Sequence, residues 1–299
     1  MKRITIGIPS YNEQHNIINL LHSLNIQRYS ENYFISEVII SDDSSDKTSE
    51  LVKSFAKKNP ELNICLLHHC ERRGAAAAWN EIFNRSTGDI IVLYDGDIVI
   101  DKNTTAQLVT FLKRGIGLCA SNPQPIQHHG IVGKASSFVA YWLRSVRNQG
   151  LSQYTVMGRA LSVKSEVAKK ITIPTDIIAI DLYLQCKVLE FGLDIVYNDN
   201  ALVYFRPASK LFDFASQVIR ASFGHKQIHS YCSKLKIDLS LKIAVIEAIH
   251  NLIRNPIGGL SVLICYAALP YYRLKIKQAG SAKWQTAEST KRFDYDISL

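Results

Sequence analysis

Two carboxylates one residue apart, Asp95 and Asp97, close an apolar run from Asp89 to Tyr94. An isolated pair of this kind usually marks a turn. Here a second acidic stretch, Asp42-Asp43-Ser44-Ser45-Asp46, closes another apolar run, Glu37–Ser41. Carboxylates at neighbouring strand ends repel unless a cation or a ligand's donors compensate them. At i and i+2 they can hold a divalent ion with open positions, and phosphate oxygens complete its shell. Pro9-Ser10-Tyr11-Asn12-Glu13 closes a third run and Arg72-Arg73-Gly74 follows a fourth, Asn63–His68. Polar and charged groups thus gather where open α/β sheets bind ligands, beyond the carboxyl ends of the strands. Neither G-x-x-x-x-G-K-[ST] nor a G-x-G-x-x-G after the first strand occurs. That argues against a P-loop NTPase and a dinucleotide dehydrogenase.

These residues need a scaffold, and the pattern supplies one. The runs Ile4–Pro9, Glu37–Ser41, Asn63–His68 and Asp89–Tyr94 are apolar throughout, as strands covered on both faces are. Helical periods separate them: Ile17, Ile18, Leu21 and Leu24, then Leu51, Val52 and Phe55, then the alanine-rich stretch Ala75–Phe83. Such alternation predicts an α/β fold with a mostly parallel, Rossmann-like sheet flanked by helices. A helix over Thr104–Lys113 and a strand over Ile116–Ala120 follow. Ser121–Gly133 reads as an irregular loop. A helix (Ser136–Arg147), a strand (Val156–Val163), a helix (Asp181–Phe191) and two strands (Ile195–Tyr197, Ala201–Phe205) come next. Residues 210–299 read as a helical, basic C-terminal extension.

In words, order and spacing, Ile8-Pro9-Ser10-Tyr11-Asn12-Glu13, Ile39-Ile40-Ser41-Asp42-Asp43-Ser44-Ser45-Asp46-Lys47-Thr48 and Thr87-Gly88-Asp89 through Asp95-Gly96-Asp97 resemble the family 2 glycosyltransferases of GT-A fold. The resemblance is carried by residues 1–100 and, more loosely, by 150–225. It implies an inverting, metal-dependent enzyme that moves sugar from a nucleoside diphosphate, by expectation UDP, to a hydroxyl acceptor. It also implies Mn2+ or Mg2+ as cofactor. Under it, 1–122 is the nucleotide-sugar-binding half, 123–209 the acceptor-binding half of the same domain, and 210–299 the extension. Pro9, Tyr11 and Glu13 would line the nucleoside pocket, and Asp42 would read the base. Asp43 stands where the family usually has Gly. Asp95 would lie near ribose and metal, with Asp97 the direct metal ligand. Gly74-Ala75 stands where the family often has Gly-Lys, so a usual cation is missing and Arg72 or Arg73 would replace it. Met157-Gly158-Arg159-Ala160-Leu161-Ser162-Val163 resembles the strand flanking the sugar.

Asp181 matches the family's general base, with Ile180 in place of the usual Glu. Transfer to a hydroxyl requires such a group, since the acceptor loses a proton in the transition state. A helix start alone would equally explain Asp181 as a cap. Gln217-Val218-Ile219-Arg220 resembles Q-x-x-R, with Ala221 replacing the common Trp. Arg220 would stabilise the departing diphosphate, or else form a surface ion pair. His225 reads as solvent-facing, and His128-His129 as acceptor lining without a zinc ligand set.

Of the net charge of +9, residues 201–299 carry +8 and residues 1–200 carry +1. A basic segment implies an anionic partner. No interleaving of aromatic and basic residues supports nucleic acid. Ile243, Ile246, Ile249 and Ile253 form a helical stripe, and no charge occurs from Asn255 to Tyr272. The apolar heart of that window, Leu260–Leu269, is about half of what spans a bilayer. Residues 238–285 therefore read as a peripheral membrane contact, on a cytoplasmic enzyme at the inner face of the plasma membrane with a glycan or lipid-linked acceptor. A soluble helical cap or an oligomer contact is the other reading. Six cysteines without metal-type spacing read as reduced thiols, and Met1–Thr5 runs into a strand without a signal-peptide pattern. The competing functions are a nucleotidyltransferase that makes NDP-sugars and a non-catalytic nucleotide-sugar-binding protein.

Overall fold

Strand β1 (Lys2–Ser10) opens a computed structural model that describes residues 1–126, 130–151, 159–235, 241–276 and 287–291. Helix α1 (Ile17–Asn25), β2 (Tyr33–Asp42), α2 (Thr48–Lys58), β3 (Ile64–His68), α3 (Ala75–Arg85) and β4 (Ile90–Tyr94) follow in strict alternation. Then come β5 (Ile98–Ile100), α4 (Thr104–Thr110), β6 (Ile116–Pro125), α5 (Ile131–Val146), β7 (Ala160–Lys164), α6 (Ser165–Ala168), α7 (Ile180–Glu190) and β8 (Asp194–Phe205). Helices α8 (Leu211–Lys234), α9 (Leu241–Arg254), α10 (Pro256–Ala267) and α11 (Leu269–Lys275) complete the described chain, with a short turn at Glu288–Thr290.

One eight-stranded sheet runs in the order β3-β2-β1-β4-β7-β6-β8-β5. β3, β2, β1 and β4 are mutually parallel. β7 then runs antiparallel between β4 and β6, and β8 lies parallel to β6. The register brings Ser10, Asp42 and His68 level at one edge, and pairs Tyr94 with Ala160. The α/β architecture is therefore as expected. The expected boundary at 122/123 falls inside β6, while α8 begins the C-terminal extension.

Both faces of the sheet are covered, which is why its strands lack polar alternation. Ile4, Ile6 and Ile8 point towards Leu20, Leu24, Val52 and Leu108 of α1, α2 and α4. Ile39, Ile91, Leu93 and Leu161 point to the opposite side, where Trp79 and Phe83 of α3, Leu184 of α7 and Ile228 of α8 pack.

Four local expectations are corrected. β5 was missing from the sequence reading; at three residues it is too short for a periodic signal. Ser121–Gly133 is not a loop throughout, since β6 continues to Pro125. Pro123 and Pro125 pair with β8, while the ladder with β7 covers only Leu118–Ala120. On that unpaired side a missing N–H costs nothing. The two expected strands 195–197 and 201–205 are one, β8. Its Asn198-Asp199-Asn200 bulges out between the pairs Ala120–Tyr197 and Asn122–Leu202. Asn122 bridges the bulge by donating to the Asp199 carbonyl at 2.7 Å. Finally, α5 starts at Ile131, five residues before the expected Ser136.

Candidate active site

The site lies along the edge where β1, β2, β3 and β4 end. The loop after β1 turns sharply at Asn12, whose φ of 54° is left-handed, a conformation that asparagine tolerates better than most residues. Its side chain accepts from the Ser45 N–H (2.9 Å) and its own N–H donates to Ser44 Oγ (2.8 Å). The Glu13 N–H donates to Thr48 Oγ1 at 2.9 Å. The loops after β1 and β2 are thereby laced into one wall.

Tyr11 lies in that wall beneath the Arg72 guanidinium, 4.1 Å from its ring centroid. Glu13 is buried beside it, and Asn16 Nδ2 donates to its carboxylate at 2.9 Å. Burial, and then the charge of Asp97, push the Glu13 carboxyl up to about 7. The Gly96 turn presses on this wall: a Cβ there would come 3.0 Å from Glu13 Cγ and 3.7 Å from the Pro9 carbonyl. Pro9 and Glu13 therefore border the Asp95–Asp97 turn.

Asp42 is fully buried. Ser44 Oγ donates to it at 2.5 Å and the His68 ring nitrogen bonds it at 2.8 Å. Both carboxylate oxygens are thus engaged from within the protein, an arrangement the acidic run did not disclose. Asp43, where the resembling family has Gly, holds the turn after β3. It accepts from the Arg73 and Gly74 N–H groups at 2.6 and 3.0 Å, and from Arg73 Nε at 3.0 Å. The Arg73 Nη2 atom donates to Glu81 (2.9 Å) and Ser41 (3.0 Å). Arg73 is committed to this internal network, while Arg72 lies over the Tyr11 ring.

Asp95 and Asp97 sit on the turn joining β4 to β5. The Asp95 N–H donates to the Arg159 carbonyl at 2.9 Å. The Arg159 guanidinium lies 3.7 Å from Asp97 and 4.0 Å from the centre of the Phe205 ring. Burial, and then the neighbouring Asp97, push Asp95 up to about 7; Arg159 and Arg220 pull it down, and Asp181 raises it further. Carboxylates held this close are a fit partner for a divalent ion, whose charge would relieve the repulsion. Among the described residues no group of three or more His, Cys, Asp or Glu is placed to hold a metal ion by itself. The protein would supply two carboxylates, and a ligand the rest of the shell.

Asp181 lies on the first turn of α7. Its helix is capped at Ala179 with no side-chain hydrogen bond, so Asp181 lies two residues past the cap position. Helix α8 braces the loop before α7: Gln227 accepts from the Ile178 N–H and donates to the Asp176 carbonyl, both at 2.9 Å. Arg220 stands on α8; burial pulls its pKa down, and the charges of Asp181 and Asp95 pull it up. Asp95, Asp97, Asp181 and Arg220 therefore form one charged cluster, assembled from three distant parts of the chain. His225 is exposed and outside it. His128, His129, Met157 and Gly158 lie outside the described residues.

Sequence reasoning missed three groups here. Arg159 was visible in its motif but had no role. Asp43 was taken as a departure from a pattern, though it organises the Arg73 turn. Lys291, which donates to the Tyr11 carbonyl at 2.8 Å and ion-pairs with Glu13, had no local signal.

Comparison with known proteins agrees with this fold. The profile of the family described as "Glycosyl transferase family 2" matches residues 5–157. A poly-beta-1,6-N-acetyl-D-glucosamine synthase of Staphylococcus epidermidis is 27% identical over 274 residues, which is 88% of this chain and 64% of the synthase. The Staphylococcus aureus (strain COL) protein of that name is 26% identical over 235 residues, 76% of this chain and 55% of its own. The chain thus spans less than two thirds of these relatives. Among solved structures, the mannosyltransferase PcManGT of Pyrobaculum calidifontis, in complex with GDP-Man and Mn2+, superposes with a TM-score of 0.60 at 21% identity, covering 93% of this chain and 84% of that one. S. aureus TarS 1-349 with UDP-GlcNAc gives 0.53 at 16% identity, with 92% of each chain covered. At these identities the likeness is one of fold.

Proposed function

Because the chain belongs to glycosyl transferase family 2, we propose that it is an inverting, metal-dependent transferase that moves a sugar from a nucleoside diphosphate, UDP foremost, to a hydroxyl acceptor at a membrane surface. The observation that carries this reading is the cluster of Asp95, Asp97, Asp181 and Arg220 at the carboxyl edge of β4. The neighbouring solved structures bind GDP-Man with Mn2+ and UDP-GlcNAc, which supports the donor class.

Asp95 and Asp97 would hold the divalent ion, with Arg159 steadying Asp97. Bound there, the ion would offset the charge of the donor diphosphate. Tyr11 and Arg72 form the wall against which the nucleoside packs. Asp181 takes the proton of the acceptor hydroxyl as its oxygen bonds to the anomeric carbon from the face opposite the diphosphate. The bond between that carbon and the diphosphate oxygen breaks, and its electron pair leaves on the diphosphate. Arg220 faces the charge that develops there.

The membrane part of the proposal rests on α9, α10 and α11. On α9 the residues turned inward are Glu247 and Asn251, while Val245, Ile249 and Ile253 face out. On α10 Gly258, Gly259 and Ser261 face in, and Ile257, Leu260 and Leu263 face out. A helix apolar on its outside is stable against another apolar phase. Among the described residues no single helix is long and apolar enough to cross a membrane; α10 and α11 together, bent by 41°, pass that test on length and composition. The surroundings are basic, with Lys242, Arg254, Arg273 and Lys275, so an anionic cytoplasmic leaflet is the proposed surface. Lys277 and Lys283 lie outside the described residues.

The test is donor hydrolysis with a panel of UDP- and GDP-sugars in Mn2+. Wild type should release nucleoside diphosphate from one donor and lose this activity in EDTA; Asp97→Asn should lack it while keeping its fold. Full activity of Asp97→Asn, or in EDTA, refutes metal dependence, and donor binding without hydrolysis favours a non-catalytic nucleotide-sugar-binding protein.

A further inference from the structure

A cation reaches the nucleotide wall from the opposite end of the sequence. Residues 287–291 form a short strap over the start of α8. The Ser289 N–H donates to Asp213 Oδ2 at 2.8 Å, and Ser289 Oγ accepts from the Ser209 N–H at 3.1 Å. Thr290 is buried and closes the turn by donating from Oγ1 to the Ala287 carbonyl at 2.8 Å. Lys291 extends from this anchored turn to the loop after β1. Its Nζ donates to the Tyr11 carbonyl at 2.8 Å and pairs with Glu13. The side chains of Lys291 and Glu13 are only 14% and 9% exposed, so this is not a solvated surface pair.

The placement matters because of what lies beside it. Glu13 packs against the Gly96 turn and feels the Asp97 charge directly. Asp95 and Asp97 would hold the ion that the donor diphosphate meets, and an unpaired Glu13 beside them would repel that diphosphate. An ammonium has three N–H donors, and among the described residues Tyr11 and Glu13 take two. Arg73, the cation expected here from sequence, is occupied by Asp43 and Glu81.

We propose that Lys291 is a donor-binding residue. It cancels the Glu13 charge and offers its remaining N–H to the diphosphate of the nucleotide, so that the 287–291 strap completes a pocket built by residues nearly 280 positions earlier. The inference rests on the nucleotide-sugar reading and deepens it. Nothing in a short motif would reveal it, because the strap has no neighbour in sequence that belongs to the site.

Calorimetric titration of the full chain in Mn2+ with uridine, UMP and UDP, and with guanosine, GMP and GDP, tests it. Lys291→Ala and Lys291→Met, the second keeping the apolar stem, should weaken diphosphate binding about ten- to a hundredfold, the range of a charged hydrogen bond. Affinity for the parent nucleoside should stay unchanged, and the salt dependence of diphosphate binding should become shallower. An equal loss for nucleoside and diphosphate would reduce Lys291 to shaping the wall. No loss, or tighter binding in the variants, would overturn the proposal, the latter by making Lys291 a plug that the donor displaces. Wild-type protein that binds neither series overturns the nucleotide-sugar reading itself, and the inference falls with it.

Discussion

Asp181 shows how a few ångströms of chain decide between two roles. From the sequence it fitted a helix cap as well as a general base. The structure gives the cap position to Ala179 and leaves Asp181 in the first turn, in the field of Asp95 and Arg220. A carboxylate there gains about 0.3–1 kcal/mol from the helix dipole, so its loss should hardly touch stability. Asp181→Asn is accordingly expected to lower kcat by about two to four orders of magnitude. Nucleoside diphosphate affinity and the melting temperature should stay near wild type. A fall in binding parallel to the fall in rate would return Asp181 to a structural role. Arg73 and Asp42 teach the converse. Both are of the right type in the right place along the chain, yet Glu81, Asp43, Ser44 and His68 satisfy them from within.

At the scale of elements, the site depends on how closely α8 approaches the start of α7. Gly224 permits that approach: a Cβ there would stand 2.8 Å from Ala179 Cβ, on the face of α8 that also carries Arg220 one turn earlier. Gly224→Val should therefore cost about 1–3 kcal/mol by overpacking. It should also displace Arg220 from the cluster, so that activity falls further than the loss of folded protein explains. Adding Ala179→Gly should restore both in part, because it removes the atom in the way. Unchanged melting temperature and activity in Gly224→Val would show that this contact does not set the position of Arg220.

For the whole molecule, the decisive feature is the inversion of α9 and α10, polar towards the protein and apolar towards the outside. Ile253 is 73% exposed, Leu263 64% and Leu274 85%, values that water alone does not favour. Each Lys or Arg near an anionic surface adds about 1 kcal/mol of attraction. Binding driven by a few such charges and one apolar face should be reversible and salt-sensitive. The chain should therefore sediment with vesicles that contain anionic lipid at low salt, and be released at high salt. Ile249→Glu with Leu260→Glu should leave it in the supernatant. Absence of pelleting in every condition, with a monodisperse protein, would favour a soluble cap. Pelleting that ignores salt would mean insertion of the bent α10–α11 pair.

What the sequence determined by itself was what short-range chemistry encodes. Apolar runs at regular spacing specify strands buried on both faces. The acidic endings of those runs mark the ligand edge, because charged groups persist beside apolar strands only where something compensates them. That was enough for the α/β architecture and for placing Asp95 and Asp97 on the turn that ends β4. Tertiary structure alone decided which of two adjacent arginines is held within the fold, since Asp43 captures Arg73 only after β2 and β3 pair. It alone joined the two short strands into β8, because the partner across the Asn198–Asn200 bulge is Asn122, far away in the chain. It also brought Lys291 to Glu13. Electrostatic partners are chosen by distance in space, and no local pattern around residue 291 records which carboxylate folding will bring to it.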